Sequence, residues 1–234
     1  MGEIMKGQVQ SSTKSWVLAA AVAVIGDLAT EAGAASVAAS ANEAFGGVDI
    51  LVNNAGGRFR GGSKVGLFEI SDEDWEQTFQ MNVMAALRLV RALCPAMTER
   101  KWGRVVNIST AAATAPSGAM AEYAAAKAAM NNLTVSLSRA VAGTGVTANT
   151  VSAGMIETPA LEDVLSGVQK RLGLGDDRAK AVKWLAETTM RQTVRRLGTP
   201  EDIGYAIAML SSPRGDFITG ANIRVDGGAS PSVN

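Results

Sequence analysis

Short apolar runs rich in β-branched residues alternate with longer helical stretches along most of this 234-residue chain. Runs of this length are typical of strands that are buried on both faces. Strands that alternate with helices form βαβ units, which require a parallel sheet and right-handed crossovers. The five predicted strands are residues 21–25, 48–52, 104–108, 146–151 and 221–225. The pattern therefore predicts an α/β fold with a doubly wound parallel sheet in a single domain, residues 1–234.

The charge balance and the missing histidines narrow the chemistry that this chain can carry. It has 22 basic and 22 acidic side chains, no histidine, and Cys94 as its single cysteine. Disulfides, zinc sites built from cysteine and histidine, and histidine-based dyads are therefore excluded. We expect no resident metal, no nucleic-acid partner and no anionic membrane partner, because no basic stripe is present to neutralise phosphates. A small-molecule substrate is the expected partner.

The longest apolar run, residues 16–25, is about half as long as a membrane-spanning helix needs to be. It passes directly into Gly26 and Asp27 and then into an alanine-rich helical stretch, the pattern of a buried strand followed by a βα turn. With Lys6 and Lys14 ahead of it, the run also resembles a signal-peptide core. We favour the buried strand and expect a cytoplasmic protein, in which residues 1–20 form a divergent N-terminal segment.

Residues 72–100 are predicted to form a long helix that carries one polar side chain on its apolar face. Ser71 is the expected N-cap, with Asp74 three residues further on. Asn82 falls on the apolar stripe, and a buried amide must find hydrogen-bond partners. From spacing alone, Asn82 is either a structural bridge to the backbone or part of a site, and the bridge is favoured.

Tyr123 and Lys127 are four residues apart in an alanine-rich helical segment, so their side chains share one face, one turn apart. A free phenol has a pKa of about 10, too high for ready proton exchange at neutral pH, and a neighbouring ammonium lowers it. The pair alone is weak evidence, since a tyrosine and a lysine on the solvent side of a helix have the same spacing. Ser109 and Thr110 add hydroxyls at the end of the strand 104–108, where open α/β sheets bind ligands.

Several motifs occur together and in a fixed order along residues 27–228, and with them the chain resembles the short-chain dehydrogenase/reductase family. The motifs are Gly26-Asp27, Asn53-Asn54-Ala55-Gly56, Asn82, Asn107-Ile108-Ser109-Thr110, Tyr123 with Lys127, Gly154 with Ile156 and Thr158, residues 196–203, and Thr219-Gly220 leading to residues 225–228. The resemblance implies a Rossmann-like fold. It also implies an oxidoreductase that transfers hydride between NAD or NADP and a carbonyl or alcohol substrate.

The resemblance assigns a role to each candidate site residue. Tyr123 takes the part of the catalytic acid/base, and Lys127 lowers its pKa and hydrogen-bonds the nicotinamide ribose. Asn82 helps to hold a proton-relay water, which reverses the preference for a bridge. Thr110, with Ser109 before it, stands where the family usually has the serine that polarises the carbonyl. The implied cofactor contacts are Asp27 with the adenine, Asn54, Ala55 and Gly56 with the body of the cofactor, and Ile156 and Thr158 with the nicotinamide carboxamide.

The chain departs from the family most clearly near its N-terminus. No glycine spacing before Gly56 matches the turn Thr-Gly-x-x-x-Gly-x-Gly, whose helix N-terminus receives the cofactor pyrophosphate. We expect an incomplete first βαβ unit, weakened dinucleotide binding, and loss of the residue that selects NAD or NADP. The strand 48–52 then has an unpaired edge. We expect residues 15–25 to pair with this edge, in preference to its being covered by a neighbouring subunit.

Two further segments carry predictions about the substrate. Residues 159–192 are rich in charge and contain Gly173 and Gly175, which predicts a helix, a turn and a second helix that form a substrate-lid insertion. The loop 57–62 holds Arg58 and Arg60, which either grip an anionic group or form a solvated surface, the second being favoured.

Three functions remain open from the sequence, and the oxidoreductase is favoured. A cofactor-independent lyase, isomerase or cyclase would keep proton transfer by Tyr123 but would transfer no hydride. A non-catalytic remnant would need neither proton transfer nor hydride transfer. By resemblance, the helices 72–100 and 122–141 pair across a two-fold interface, which implies a homodimer or homotetramer.

Overall fold

The computed structural model describes residues 4–10, 16–58, 66–118, 120–189 and 191–231. Their strands are β1 (Ile4–Gln10), β2 (Trp16–Val22), β3 (Ile50–Asn53), β4 (Gly103–Thr110), β5 (Val146–Ala153) and β6 (Asn222–Val225). Their α-helices are α1 (Glu31–Phe45), α2 (Asp72–Phe79), α3 (Ala85–Glu99), α4 (Ala121–Ala140), α5 (Glu162–Leu172), α6 (Arg178–Trp184) and α7 (Pro200–Ser211). Among these residues, no helix combines the length and the apolar character needed to cross a bilayer.

Strands β3 to β6 lie side by side, in that order, in a parallel sheet. Leu51 is paired with Val105, and Val105 with Ala148. All but the last residue of β4 and of β5 are buried, as expected for interior strands that are covered on both faces. The predicted α/β fold with a parallel sheet is therefore confirmed.

Helices cover both faces of this sheet, because successive residues of a strand point to opposite sides. Val105 packs in one core with Leu89 and Leu93 of α3, and α1 contributes to the same core. Val106 and Ile108 of the same strand pack in a second core with residues of α7. The sheet is doubly wound, as the alternating sequence pattern predicts.

The long helix predicted for residues 72–100 forms, with its expected start. The Ser71 side chain accepts a hydrogen bond from the Asp74 amide, and the Asp74 carboxylate reaches back to residue 71. A π-helical turn, Gln80–Met84, separates α2 from α3. Such turns occur often at functional sites.

Residues 159–192 contain the predicted helix, turn and second helix. Helix α5 is followed by Gly173, whose φ of 64° is left-handed, a conformation that glycine adopts without strain. Leu165 of α5, Ala181 of α6 and Leu185 pack together in a small apolar core of their own. The role of this segment as a substrate lid stays a prediction.

The N-terminal strand is not where the sequence places it. The strand predicted for residues 21–25 is instead β2, which pairs antiparallel with β1 in a separate two-stranded sheet. The expectation that residues 15–25 fill the slot beside β3 was therefore wrong. An apolar run indicates a strand but does not specify which strand it pairs with. Pairing with β1 costs little loop-closure entropy, because the connection between the two strands is short.

One edge of β3 has no strand partner within the described ranges. Ile50 and Val52 are 42% and 37% exposed, while Leu51 between them is buried. The side chains of β3 are therefore packed on one face of the sheet and open to solvent on the other.

A chain of buried amide and hydroxyl groups ties β3 and β4 to α4. Asn53 Nδ2 donates to Asn107 Oδ1 (2.8 Å), and Asn107 Nδ2 donates to the Thr134 hydroxyl (2.8 Å). The Thr134 hydroxyl in turn donates a hydrogen bond to the Met130 carbonyl oxygen (2.8 Å). Buried polar groups are costly unless paired, so this chain fixes β3 and α4 in their positions relative to β4.

We expect Asn107→Ala to lower the free energy of unfolding by about 1–3 kcal/mol, because it leaves the Asn53 amide without its acceptor and removes the donor to Thr134. Urea unfolding followed by circular dichroism measures the change. Ser136→Ala, at an exposed position of α4, is the control and should stay within about 0.5 kcal/mol. An equal effect of the two substitutions would contradict a stabilising role for these buried hydrogen bonds.

Candidate active site

Tyr123 and Lys127 lie together, as their spacing predicts. Both are on α4, and Lys127 Nζ is 5.8 Å from the centre of the Tyr123 ring. The helix packs against β4 and β5, so the pair lies beside strands that also end in polar residues. The structure thus brings a phenol and an ammonium to the carboxyl edge of the sheet, where α/β folds bind ligands.

Lys127 is buried, with only 3% of its surface exposed. Its Nζ donates to the carbonyl oxygen of Ile108 at 2.8 Å. Burial disfavours the charged form and lowers the pKa of Lys127 to about 8. This amine can therefore change its protonation state much closer to neutrality than an exposed lysine can.

Burial also acts on Tyr123, and it raises the pKa of the phenol. The expectation that Lys127 lowers this pKa was wrong for this structure. The ammonium donates to the Ile108 carbonyl and makes a ring contact with Tyr123, while loss of water around the phenol disfavours the phenolate. Tyr123 is held in its protonated form.

The two hydroxyls at the end of β4 have different surroundings. Ser109 is buried, and its Oγ donates to the main-chain carbonyl of Lys127 at 3.3 Å. Thr110 is half-buried, and its Oγ1 accepts from the Ala112 amide at 3.3 Å. Within the described residues, the Thr110 hydroxyl proton meets no acceptor, so Thr110 is the better placed of the two to donate to a substrate.

Asn82 is fully buried in the π-helical turn and bridges two pieces of backbone. Its Oδ1 accepts from the Gly57 amide (3.1 Å), and its Nδ2 donates to the carbonyls of Gly57 (2.6 Å) and Thr78 (2.7 Å). These are the contacts of the bridge that spacing alone favours. The relay role implied by the resemblance stays a prediction.

The segment of Asn54, Ala55 and Gly56 is exposed directly above these buried groups. Gly56 has a φ of 154°, and a Cβ added there would lie 2.5 Å from Asn82 Oδ1 and 3.2 Å from Lys127 Nζ. Only glycine lets the backbone approach Lys127 so closely. An exposed backbone with no side chain in the way is suited to a flat ligand.

The remaining candidate cofactor residues lie on other segments. Ile156 forms an isolated β-bridge with Gly198 and fills the space beside it. Thr158 is exposed at the start of the turn Pro159–Leu161. Asp27 is exposed ahead of α1, and its Oδ1 accepts from the Ala29 amide at 3.0 Å. The hydrogen bonds of Asp27 are local to its own turn, so contact with an adenine stays a prediction.

The sequence reading missed an ion pair next to Tyr123. Arg58 Nε lies 2.6 Å from Glu122 Oε1, and the two side chains are 16% and 4% exposed. The favoured prediction of a solvated surface loop was therefore wrong for Arg58, while Arg60 lies outside the described residues. The two partners are 64 positions apart, so no local pattern could have joined them.

Known proteins match most of this chain. A family model described as enoyl-(acyl carrier protein) reductase matches residues 2–230. An uncharacterized oxidoreductase of Bacillus subtilis, YvaG, is 37% identical over 207 residues, which are 88% of this chain and 75% of that protein. The 3-oxoacyl-[acyl-carrier-protein] reductase FabG of Vibrio cholerae is 36% identical over 184 residues, 79% of this chain and 67% of the relative.

A solved structure is similar over most of the chain. L-sorbose reductase from Gluconobacter frateurii, in complex with NADPH and L-sorbose, superposes with a TM-score of 0.80 at 30% identity. The match covers 88% of this chain and 76% of the reductase. The fold and the sequence therefore point to the same group of enzymes.

The low pKa of Lys127 predicts a specific pH dependence of stability. Above pH 8 the unfolded chain binds more protons at this lysine than the folded chain, so folding gains stability as pH rises. The unfolding free energy of the wild type, relative to Lys127→Met, should increase by up to about 1.4 kcal/mol per pH unit toward pH ~10. Urea unfolding at a series of pH values measures this difference. Lys170→Met, at an exposed position of α5, is the control for loss of a charge, and a difference that stays flat would refute the shift.

The crowding at Gly56 gives a second prediction. We expect Gly56→Ala to cost about 1–3 kcal/mol of unfolding free energy, because the added methyl group would meet Asn82 and Lys127 at a strained φ. Gly57→Ala is the matched control, since an added Cβ there has nothing within 4 Å. Thermal or urea unfolding compares the two, and equal losses would show that crowding is not the cause.

Proposed function

The chain belongs to the short-chain dehydrogenase/reductase family, and from that premise we propose that Tyr123 is the acid/base residue of its reaction. The protein is an oxidoreductase that transfers hydride between a nicotinamide cofactor, NAD or NADP, and a carbonyl or alcohol group. The observation that carries the proposal for Tyr123 is its position beside the buried Lys127, at the carboxyl edge of the sheet.

The protonation state of Tyr123 suits donation of a proton to a carbonyl oxygen. Burial raises the pKa of the phenol, so at neutral pH it holds the proton that a developing alkoxide needs. Lys127, whose pKa is about 8, lies one turn away, and its Nζ is 5.8 Å from the centre of the Tyr123 ring, so it adds positive charge near the phenol when it is protonated. Tyr123 thus donates a proton to the carbonyl oxygen as the carbonyl carbon is reduced.

Thr110 polarises the substrate carbonyl in this proposal, and Ser109 supports it. The Thr110 hydroxyl keeps its proton available, whereas the Ser109 hydroxyl donates to the backbone of α4. A hydroxyl aimed at the carbonyl oxygen stabilises the negative charge that develops there. Asn82 holds the neighbouring backbone at Gly57 in place.

The nicotinamide cofactor, when bound, supplies or accepts the hydride. The residues around the reacting end fit such a group, because the exposed segment Asn54–Gly56 leaves room over Lys127 that a side chain would fill. We assign the nicotinamide ribose to Lys127 and the carboxamide to Ile156 and Thr158. The sequence has no glycine-rich turn for the pyrophosphate, so we expect weaker dinucleotide binding than a complete cradle gives.

The substrate is a small molecule with a reducible carbonyl. The similar proteins reduce a 3-oxoacyl group on acyl carrier protein or are named for L-sorbose, and these two chemistries are the first substrates to test. We further propose that the protein works in the cytoplasm as a homodimer or homotetramer. The long helices that contain α3 and α4 would form the two-fold interface.

Nucleotide binding is the first experiment. We expect NADPH or NADH at millimolar concentration to raise the melting temperature of the purified protein in a saturable way, because a ligand that binds only the folded state stabilises it. Adenosine, which lacks the nicotinamide, is the control. If neither dinucleotide shifts the melting temperature, the oxidoreductase assignment fails and proton transfer without a cofactor becomes the better account.

Catalysis by Tyr123 is tested by removal of one oxygen. We expect Tyr123→Phe to lower kcat for NADPH-dependent reduction of a 3-oxoacyl thioester or of L-sorbose by about 10²–10⁴-fold, while the nucleotide-induced shift in melting temperature remains. Tyr205→Phe is the matched control, since Tyr205 is the other tyrosine of the chain and is 77% exposed on α7. Wild-type turnover in Tyr123→Phe would contradict the assignment of Tyr123 as the acid/base residue.

A further inference from the structure

The first turn of α4, which holds Tyr123, lacks the usual means of fixing a helix start. Tyr123 is the third residue of the helix, and the N-cap residue Met120 makes no side-chain hydrogen bond to the turn. Helix ends without a capping side chain fray more readily, because their first amide groups have no partner in the helix. Some other contact must hold the position of this turn.

The buried pair of Glu122 and Arg58 supplies that contact. Glu122 precedes Tyr123 directly, and its Oε1 lies 2.6 Å from Arg58 Nε. Its other oxygen, Oε2, is buried without a hydrogen-bond partner among the described residues, so Arg58 is the charge that compensates this carboxylate. A buried charge that loses its partner is strongly unfavourable, which makes the pair hard to separate.

The same pair holds the segment that crosses the site. Arg58 follows Gly56 and Gly57, and the Gly57 backbone is bound on its other side by Asn82. The segment is therefore fixed from two helical elements, by Asn82 ahead of α3 and by Glu122 of α4. Its distance from Lys127 is small, since a Cβ on Gly56 would lie 3.2 Å from Nζ.

We propose that Glu122 and Arg58 are positioning residues, whose ion pair sets the Gly56–Gly57 backbone against the helix turn that carries Tyr123. The pair acts through these neighbours and does not itself touch the reacting atoms. This inference rests on the proposed function, because the backbone it positions is the one assigned to the cofactor. It predicts that loss of the ion pair weakens cofactor binding more than it slows the chemical step.

The kinetic test separates positioning from general stability. In Glu122→Gln and in Arg58→Met we expect the KM for NADPH to rise about tenfold or more while kcat changes less, since a small displacement of a positioning contact is costly in binding. Arg58→Lys, which keeps the charge, should recover part of the loss. Arg100→Met breaks the exposed pair between Arg100 and Asp49 and is the matched control, with an unchanged KM. An unchanged KM in folded Glu122→Gln would overturn the proposal.

Amide hydrogen exchange tests the same idea without turnover. The Gly57 amide donates to Asn82, so its protection reports whether the segment is held. We expect faster exchange at Gly57 in Glu122→Gln than in the wild type, and no change in Arg100→Met. Unchanged exchange would overturn the proposal, even if the enzyme proved to bind no nucleotide. If Glu122→Gln does not fold, Arg58→Met replaces it in both measurements, and wild-type KM and exchange in that variant would count against the pair.

Discussion

Parallel pairing of β3, β4 and β5 brings the carboxyl ends of these strands to one edge of the sheet, and the candidate site depends on that alignment. Asn53 at the end of β3 leads into the exposed segment 54–56, and Ile108 in β4 leads into the two hydroxyls. The buried hydrogen bonds from Asn53 to Asn107 and on to Thr134 hold these strands and α4 in place. Lys127 can then cross from α4 to the Ile108 carbonyl.

Burial shifts the pKa values of two neighbouring groups in opposite directions, and both shifts favour the uncharged form of the group. The Lys127 ammonium loses hydration and its pKa falls to about 8, while the pKa of the Tyr123 phenol rises. The result is a protonated phenol beside an amine that titrates near the physiological range. That combination suits a proton donor for carbonyl reduction better than it suits a resident phenolate base.

Local sequence patterns predicted most of the elements because their causes are local. The strands at 104–108 and 146–151 form and extend two residues further at their C-terminal ends, since β-branched runs suit a sheet that is buried on both faces. Ser71 and Asp74 start their helix as expected, because a capping box spans only four consecutive residues. The predicted position of the N-terminal strand was wrong because strand pairing is not a local property, and the apolar pattern of this strand was compatible with more than one pairing partner.

At the site, the spacing of Tyr123 and Lys127 was enough to predict that they share a helix face, because the helical repeat of 3.6 residues requires it. Their nearness to Thr110 and to the segment 54–56 also followed from the order of strands in a parallel sheet. Three features of the site became known only from the folded chain: the acceptor that Lys127 finds, the raised pKa of the phenol, and the pairing of Arg58 with Glu122. These outcomes depend on how deeply each group is buried and on contacts between residues as many as 64 positions apart, and both are properties of the packed chain as a whole.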